Sequence, residues 1–312
     1  MISALGRRRF GNFAPRAFIA GSPVSTTNEQ LRNAFLAFGT HAHVGPPELA
    51  EDRARFGDVV VGRLDVRPAL DGVQPGLGRL RRLRDRGIRV VNDADALIAT
   101  HDKLATALLL HAASVPQPRA AHLTDDAASP AFEPPYVVKP RFGSWGRDVH
   151  RCESRAELHA CLLHLLRRPW FRRHGALVQE LIAPCGFDLR LVVSGGVVIG
   201  AVERVAAPGE WRTNIALGGT RRKVAPTPDA CDLAIAAAAA VNGDLVGVDL
   251  LPDDDGWRVI EINGAVDFTD DYALDRGDVY ALAVEPFVPI GVLPALAPVS
   301  APVPLPVSAV SA

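Results

Sequence analysis

VIEINGAVDF, residues 259–268, sets Glu261 and Asn263 at alternate positions inside an otherwise apolar, β-branched run. Alternate side chains of a strand share a face, so a carboxylate and an amide stand together on what otherwise reads as a core strand. The preceding LVGVDLL (245–251) is a second apolar strand, carrying Asp249, and PDDDG (252–256) joins the two as a hairpin. With Leu251 set opposite Trp257, Asp249 faces Val259 and lies diagonal to Glu261, at a Cα separation of about 7–8 Å. Carboxylates gathered in an apolar sheet repel each other and lose hydration, so either one takes up a proton or a cation sits between them. Asp249, Glu261 and Asn263 all offer hard oxygens, which suit magnesium, an ion that keeps positions free for water and substrate phosphates. The alternative is that the carboxylates only accept hydrogen bonds at a strand edge.

Working outward, VVKPRFGSWGRDV (137–149) closes an apolar strand with Lys139, and Gly143 and Gly146 bracket a short turn at Ser144 where amide hydrogens can approach an anion. The order of lysine and glycines is not that of a P-loop. In FDLRLVVSGGVVIGAVERV (187–205), Gly195 and Gly196 make a two-residue hairpin turn that pairs Ser194 with Val197. That register sets Arg190 against Ala201 and Asp188 against Glu203, two like charges that need a cation, a ligand or Arg190 nearby. The loop EWRTNIALGG (210–219) adds Arg212 and Asn214, donors suited to an anionic substrate or a transferring phosphoryl group.

At 312 residues and 48% hydrophobic, the chain has enough apolar side chains for two ordinary domains. Its 34 basic and 35 acidic residues leave a net charge of -1, which gives no electrostatic reason to expect nucleic acid or a membrane surface as partner. Cys152, Cys161, Cys185 and Cys231 have no metal-ligand spacing and read as reduced thiols of a cytoplasmic protein. The amino-terminal MISALGRRRF lacks the apolar run of a secretory signal. Residues 286–312 are uncharged and carry seven prolines, so an extended or disordered tail is expected in place of a membrane helix.

Strands and helices alternate over residues 16–100, implying an α/β unit with a parallel sheet. Within it Leu77, Leu80 and Leu83 face inward and the interleaved arginines 79, 81, 82, 84 and 86 outward. The pair His41 and His43 reads as solvated imidazoles at a strand end. ATHDKLATALLLHAASVPQP (99–118) is expected as one helix with Thr100 as its N-cap. SRAELHACLLHLLRR (154–168) has capping-box spacing at Ser154 and Glu157, and TPDACDLAIAAAAAVNG (227–243) starts with Pro228 in its first turn.

Taken in order, HDKL (101–104), VVKPRFGSWGRDV, VQELI (178–182), FDLRLVV, ERVAAPGEWRTNIALGG, VGVDLL and VIEIN resemble the ATP-grasp superfamily, and within it the RimK-like glutamate ligases. The resemblance covers about residues 55–270. It implies an α/β fold with α+β lobes: a preceding α/β domain (1–100) and an ATP-grasp domain (101–285). A small lobe over about 101–175 and a large lobe over about 176–285 clamp ATP, and the tail occupies 286–312. Carried over by position, Lys103 and Lys139 contact ATP beneath the turn of Gly143, Ser144 and Gly146. Gln179, Glu180, Leu181 and Ile182 line the adenine side near Asp188. Asp249, Glu261 and Asn263 hold magnesium, with manganese as a substitute. Arg190, Arg204, Arg212 and Asn214 face phosphate, acyl phosphate or the incoming amino acid.

The implied reaction is carboxylate–amine ligation through an acyl phosphate, releasing ADP and phosphate, with glutamate as the amine by analogy. The implied partners are a small-molecule or peptide carboxylate, an amino acid and, as a homo-oligomer, further copies of the chain. A MgATP sensor and a kinase-like phosphoryl transferase are the alternatives on the same fold. After the metal-binding Asn the ribosomal-modification enzymes continue Ser-Pro-Gly, whereas this chain has NGAVDFTDDY (263–272), which leaves the acceptor's identity open.

Overall fold

The computed structural model describes residues 14–289. All of the Pro/Ala/Val-rich tail beyond Pro289 therefore lies outside the described residues. Three sheets organise the rest.

The first is parallel, in the order β2-β1-β3-β4: β1 (Arg16–Gly21), β2 (His41–Gly45), β3 (Val59–Arg63) and β4 (Arg89–Val91). Helices α1 (Thr26–Ala37), α2 (Pro47–Arg53), α3 (Leu77–Asp85) and α4 (Ala94–His101) connect or follow these strands. Ser25 caps α1, accepting from the Asn28 amide. Leu80 and Leu83 of α3 are fully buried, as their helical spacing predicts. Its arginines are laced to neighbours, with Arg82 on Glu51 of α2 and Arg81 on Asp95 of α4. His43 stacks on Phe18, so it is not the freely solvated imidazole expected.

The expected single helix from Ala99 is two. Thr100 is buried within α4, its hydroxyl donating to the Ala96 carbonyl at 2.9 Å, so it caps nothing. Asp102 is the N-cap of α5 (Lys103–Ala112), accepting from the Leu104 amide. The chain therefore turns between His101 and Lys103 and points these neighbours in different directions.

The second sheet is antiparallel, in the order β5-β8-β6-β7: β5 (Ala120–Leu123), β6 (Tyr136–Pro140), β7 (His150–Cys152) and β8 (Ala176–Glu180). Helices α6 (Arg155–Leu165) and α7 (Pro169–His174) cover it, burying Leu158, Leu162 and Trp170 against Tyr136 and Val138. Ser154 caps α6 as expected, while the Glu157 carboxylate reaches the Glu153 amide, one residue short of a reciprocal box.

The third sheet runs β11-β10-β9-β12-β13, all antiparallel: β9 (Phe187–Ser194), β10 (Val197–Val205), β11 (Thr220–Lys223), β12 (Leu245–Asp253) and β13 (Gly256–Asn263). The β9–β10 turn is the predicted Gly195–Gly196 pair, with φ of 55° and 80°, conformations that glycine adopts without a Cβ penalty. Alanines 230, 234, 237 and 238 of α8 (Pro228–Ala240) are buried on one face of this sheet. On the other face Val192 and Val202 share a core with Ile19, Phe35, Phe268 and α9 (Val279–Val284), which joins this sheet to the parallel one. Phe287 belongs to that core and lies beneath the Arg89 guanidinium.

Candidate active site between two antiparallel sheets

The two antiparallel sheets face each other across a cleft with about 940 Å³ of space open to solvent. The β6 strand contributes Lys139 and the turn after it Gly143, Ser144 and Gly146. Gln179 and Glu180 at the end of β8, with Leu181 and Ile182, form the side wall. The floor comes from Asp188, Arg204, Asp249 and Glu261, and the loop before β11 supplies Arg212 and Asn214. Lys103 reaches in from the start of α5. Of the candidate nucleotide, metal and catalytic residues, only Arg190 and Asn263 do not line this cleft; they line the adjoining one.

The hairpin turns at Asp254 and Asp255, so Pro252, not Leu251, lies across from Trp257, and a bulge between Asp249 and Leu250 shifts the register once more, setting Asp249 directly opposite Glu261 instead of diagonal to it. Facing carboxylates in a sheet are destabilising unless compensated, and here each has its own cations. Asp249, with no exposed surface, takes a bidentate pair from Arg190, Nε to Oδ1 and Nη2 to Oδ2 both at 2.6 Å, and a further bond from Arg204 Nη2 at 2.8 Å. Burial pushes its pKa up, but the two guanidiniums prevail and hold it down at about 2. Glu261 accepts from Lys103 Nζ at 2.7 Å. Burial again works against ionisation, and Lys103 keeps the Glu261 pKa below the ordinary range. Lys103 also donates to the Gly143 carbonyl at 2.7 Å, which ties β13 to the glycine turn.

A second bulge, between Val198 and Gly200, corrects the β9–β10 pairing. Arg190 lies opposite Val202, not Ala201, and Asp188 opposite Arg204, not Glu203. The expected clash of like charges is absent, since Glu203 is paired with Arg222 of β11. Buried Asp188 accepts from Arg204 Nε at 2.8 Å and from the Thr213 hydroxyl at 2.7 Å. Arg204 thus bridges Asp188 and Asp249 in one desolvated network. Arg212 is bound to Glu210 and donates to the Gly146 carbonyl at 3.1 Å, so the loop before β11 is fastened to the glycine turn.

The Lys139 ammonium makes no hydrogen bond or ion pair among the described residues. Burial lowers its pKa to about 8, against the pull of Glu261 and assisted by Lys103. A desolvated ammonium without a protein partner is a receptor for an anion.

Among the described residues no group of three or more His, Cys, Asp or Glu could hold a metal, so a cation here depends on two carboxylates and an amide. The amide nitrogen of Asn263 is buried without a partner, and turning the amide over puts an oxygen in its place, since the two ends are assigned by their surroundings. Glu261 uses only Oε1 toward Lys103. Glu261 and Asn263 therefore fit a magnesium ion. Asp249 fits less simply than expected, because both its oxygens are held by arginine.

A second chamber of about 760 Å³ adjoins the first and shares Ser144, Arg204, Asn214 and Glu261 with it. Arg190 and Asn263 open onto this space, together with Arg221, Asp267, Asp65 and His101. The last four escaped the sequence reading. Arg221 sits on the unforeseen strand β11, Asp65 and Asp267 follow strand ends, and His101 was read as a neighbour of Lys103 on one helix.

Fold and cleft together define an ATP-dependent ligase of the ATP-grasp class. The RimK-like ATP-grasp domain matches residues 100–274, and the chain belongs to that family. It is 31% identical over 193 residues to glutamate–LysW ligase ArgX of Sulfurisphaera tokodaii, covering 60% of this chain and 68% of the relative. It is 33% identical over 194 residues to a probable alpha-L-glutamate ligase of Xanthomonas campestris pv. campestris, covering 60% and 65% respectively. A probable alpha-L-glutamate ligase of Shewanella baltica aligns over 270 residues at 30% identity, 80% of this chain and 87% of that one. Among solved structures, the RimK domain ATP-grasp protein of Sphaerobacter thermophilus superposes with a TM-score of 0.67 at 21% identity, over 88% of this chain and all of that one. The ATP-grasp ligase PsnB, solved with a minimal precursor, has a TM-score of 0.63 at 20% identity, covering 88% and 99%. PsnB has also been solved with magnesium and ADP, and the ATP-grasp ligase family uses ATP with magnesium. Among the described residues no helix is long and apolar enough to cross a membrane.

Proposed function

We propose that the chain uses ATP to convert a carboxylate to an acyl phosphate and then joins it to the amino group of an amino acid, glutamate first among the candidates. The observation that carries this reading is the shared wall: Ser144, Arg204, Asn214 and Glu261 border both chambers, so groups held in the two meet at one place. The relatives from Xanthomonas and Shewanella, named as probable alpha-L-glutamate ligases, support glutamate, and the PsnB precursor supports a carboxylate carried on a peptide as well as on a small molecule. A protein spending ATP in this way belongs in the cytoplasm.

In this reading Lys139 meets the phosphates under the turn of Gly143, Ser144 and Gly146, with Lys103 bracing that turn. Gln179, Glu180, Leu181 and Ile182 flank the base. Asp188 acts through Arg204, which it orients. Glu261 and Asn263, with Asp249 when Arg190 yields an oxygen, hold magnesium or manganese. The ion, once bound, neutralises charge that builds on the phosphoryl oxygens. Arg190, Arg204, Arg212 and Asn214 surround the junction and stabilise the anions formed there. Alignment and charge neutralisation supply the catalysis, and no side-chain nucleophile is needed.

The experiment is incubation with ATP, magnesium, each amino acid and a pool of cellular carboxylates, followed by mass spectrometry for new amides. ADP and phosphate released with a new amide are expected. AMP and pyrophosphate, or ATP turnover that leaves a stable phosphorylated product, would overturn it.

A further inference from the structure

The imidazole of His101 projects from the last turn of α4 into the second chamber, and its Nε2 is buried without a hydrogen-bond partner. The side chain is 5% exposed, so this unpaired atom is not satisfied by bulk water. The Leu64 backbone favours a proton on the ring, and the neutral tautomer that leaves the unpartnered Nε2 as acceptor is the one with its proton on Nδ1. A ring that donates from Nδ1 carries its lone pair on Nε2. The backbone turn at Asp102 is what separates this ring from Lys103: the lysine enters the nucleotide cleft and the histidine the adjoining chamber.

We propose that His101 is a catalytic residue, the base that accepts the proton of the amine as it attacks the acyl phosphate. This rests on the ligase reading above. The amine's lone pair forms the C–N bond at the acyl carbon, and the C–O bond to the phosphoryl group breaks with its electron pair leaving on phosphate. The surplus proton on nitrogen passes to Nε2 and then to solvent. The chamber's charged lining suits an amino acid: Arg221, and Arg190 beyond the two donors it gives Asp249, face its carboxylate, while Asp65, and Asp267 beyond its pair with Arg63, face an ammonium group before it loses its proton.

The groups that act on the ring are Asp65 and Glu261, which favour its protonation, and Lys103, which opposes it. Burial outweighs them and lowers the pKa below the ordinary value, so the ring is neutral and able to accept near pH 7.

The test supplies each of the twenty standard amino acids as both carboxylate and amine to the full chain with MgATP. Amide formation is followed by mass spectrometry and acyl phosphate by trapping with hydroxylamine. In His101→Gln, amide formation falls about a hundredfold while hydroxamate yield stays within about twofold, and the acidic limb of the amide pH profile disappears. In His101→Ala, added imidazole restores amide formation. Equal loss of amide and hydroxamate in His101→Gln, with no rescue of His101→Ala, overturns the role of His101. Failure of the unaltered chain to give either product with any amino acid overturns the ligase reading on amino acids and the inference with it.

Discussion

Asp249 and Glu261 face each other directly across the β12–β13 ladder, yet one answers to Arg190 and Arg204 and the other to Lys103. Two negative charges in one desolvated sheet are tolerated because each carries a private cation, and the three cations differ in their freedom to leave. Lys103 holds Glu261 by a single bond, whereas Arg190 grips Asp249 by two. Exchange of a protein cation for a metal is therefore easier at Glu261.

Asp249→Asn tests the structural half of that relationship. The change preserves shape but leaves Arg190 and Arg204 buried with their compensation reduced, a situation that costs about 3–5 kcal/mol. The expected result is a lower urea midpoint with an unchanged slope. In the unaltered chain the Asp249 pKa is depressed to about 2, so its contribution is fully present above the unfolded value of about 3.9 and is lost as pH falls from there toward 2. The Asn variant lacks that acid-dependent loss, which urea titrations between pH 5 and 2.5 would show.

Glu261→Gln tests the other half. The amide keeps the volume and one acceptor oxygen, so thermal unfolding shifts little, while Lys103 loses its countercharge and magnesium one anionic ligand. Turnover is expected to fall at least tenfold at low magnesium, with partial recovery as the ion is raised. An unchanged magnesium dependence would remove Glu261 from the metal site.

Much of this site was legible because strand alternation puts Glu261 and Asn263 on one face whatever the partner strand does. Pairing between strands was not legible. The bulge after Asp249 leaves no glycine or proline signature at its step, the one near Ile199 is marked only by Gly200 inside a run whose Gly195–Gly196 turn already accounts for a hairpin, and each moves every later pair by one position. Hence Asp188 was set against Glu203 when it lies against Arg204. The parallel sheet was readable from alternating strands and helices, but the break between α4 and α5 was hidden because Asp102 caps the second helix inside a run that is periodic on both sides. The second chamber draws on Asp65, His101, Arg221 and Asp267, four residues that only tertiary structure gathers.

Gly146→Ala probes the turn over the cleft. Gly146 has φ +70°, and an added Cβ would sit 2.6 Å from Asn214 Oδ1. Strain from the left-handed backbone alone costs about 1 kcal/mol, and the contact would displace the Asn214 side chain from the turn. The fold is expected to survive, with ATP turnover lowered at least tenfold and the Arg212 contact to the Gly146 carbonyl weakened. Gly209→Ala is the control, since nothing lies within 4 Å of a Cβ there although φ is +81°; it carries the backbone strain without the clash and should keep most of its activity.

Lys139 gives the last prediction, because its unpaired ammonium is unfavourable to the empty fold and favourable to a nucleotide. Its pKa lies at about 8, below the unfolded value of about 10.4. Between those values the unfolded chain binds more protons, so Lys139 makes stability rise with pH across that window, whereas below about pH 8 its full desolvation cost is present. Lys139→Met should abolish that rise and leave the protein at least as stable at pH 7, measured by urea midpoints from pH 7 to 10.5. The same substitution should weaken ATP binding at least tenfold by calorimetry, and in the unaltered chain, because a bound triphosphate restrains proton loss, ATP affinity should decline as pH rises above about 8. A variant that binds ATP as tightly as the original would show that the nucleotide's charge is met elsewhere, by Lys103 or Arg204.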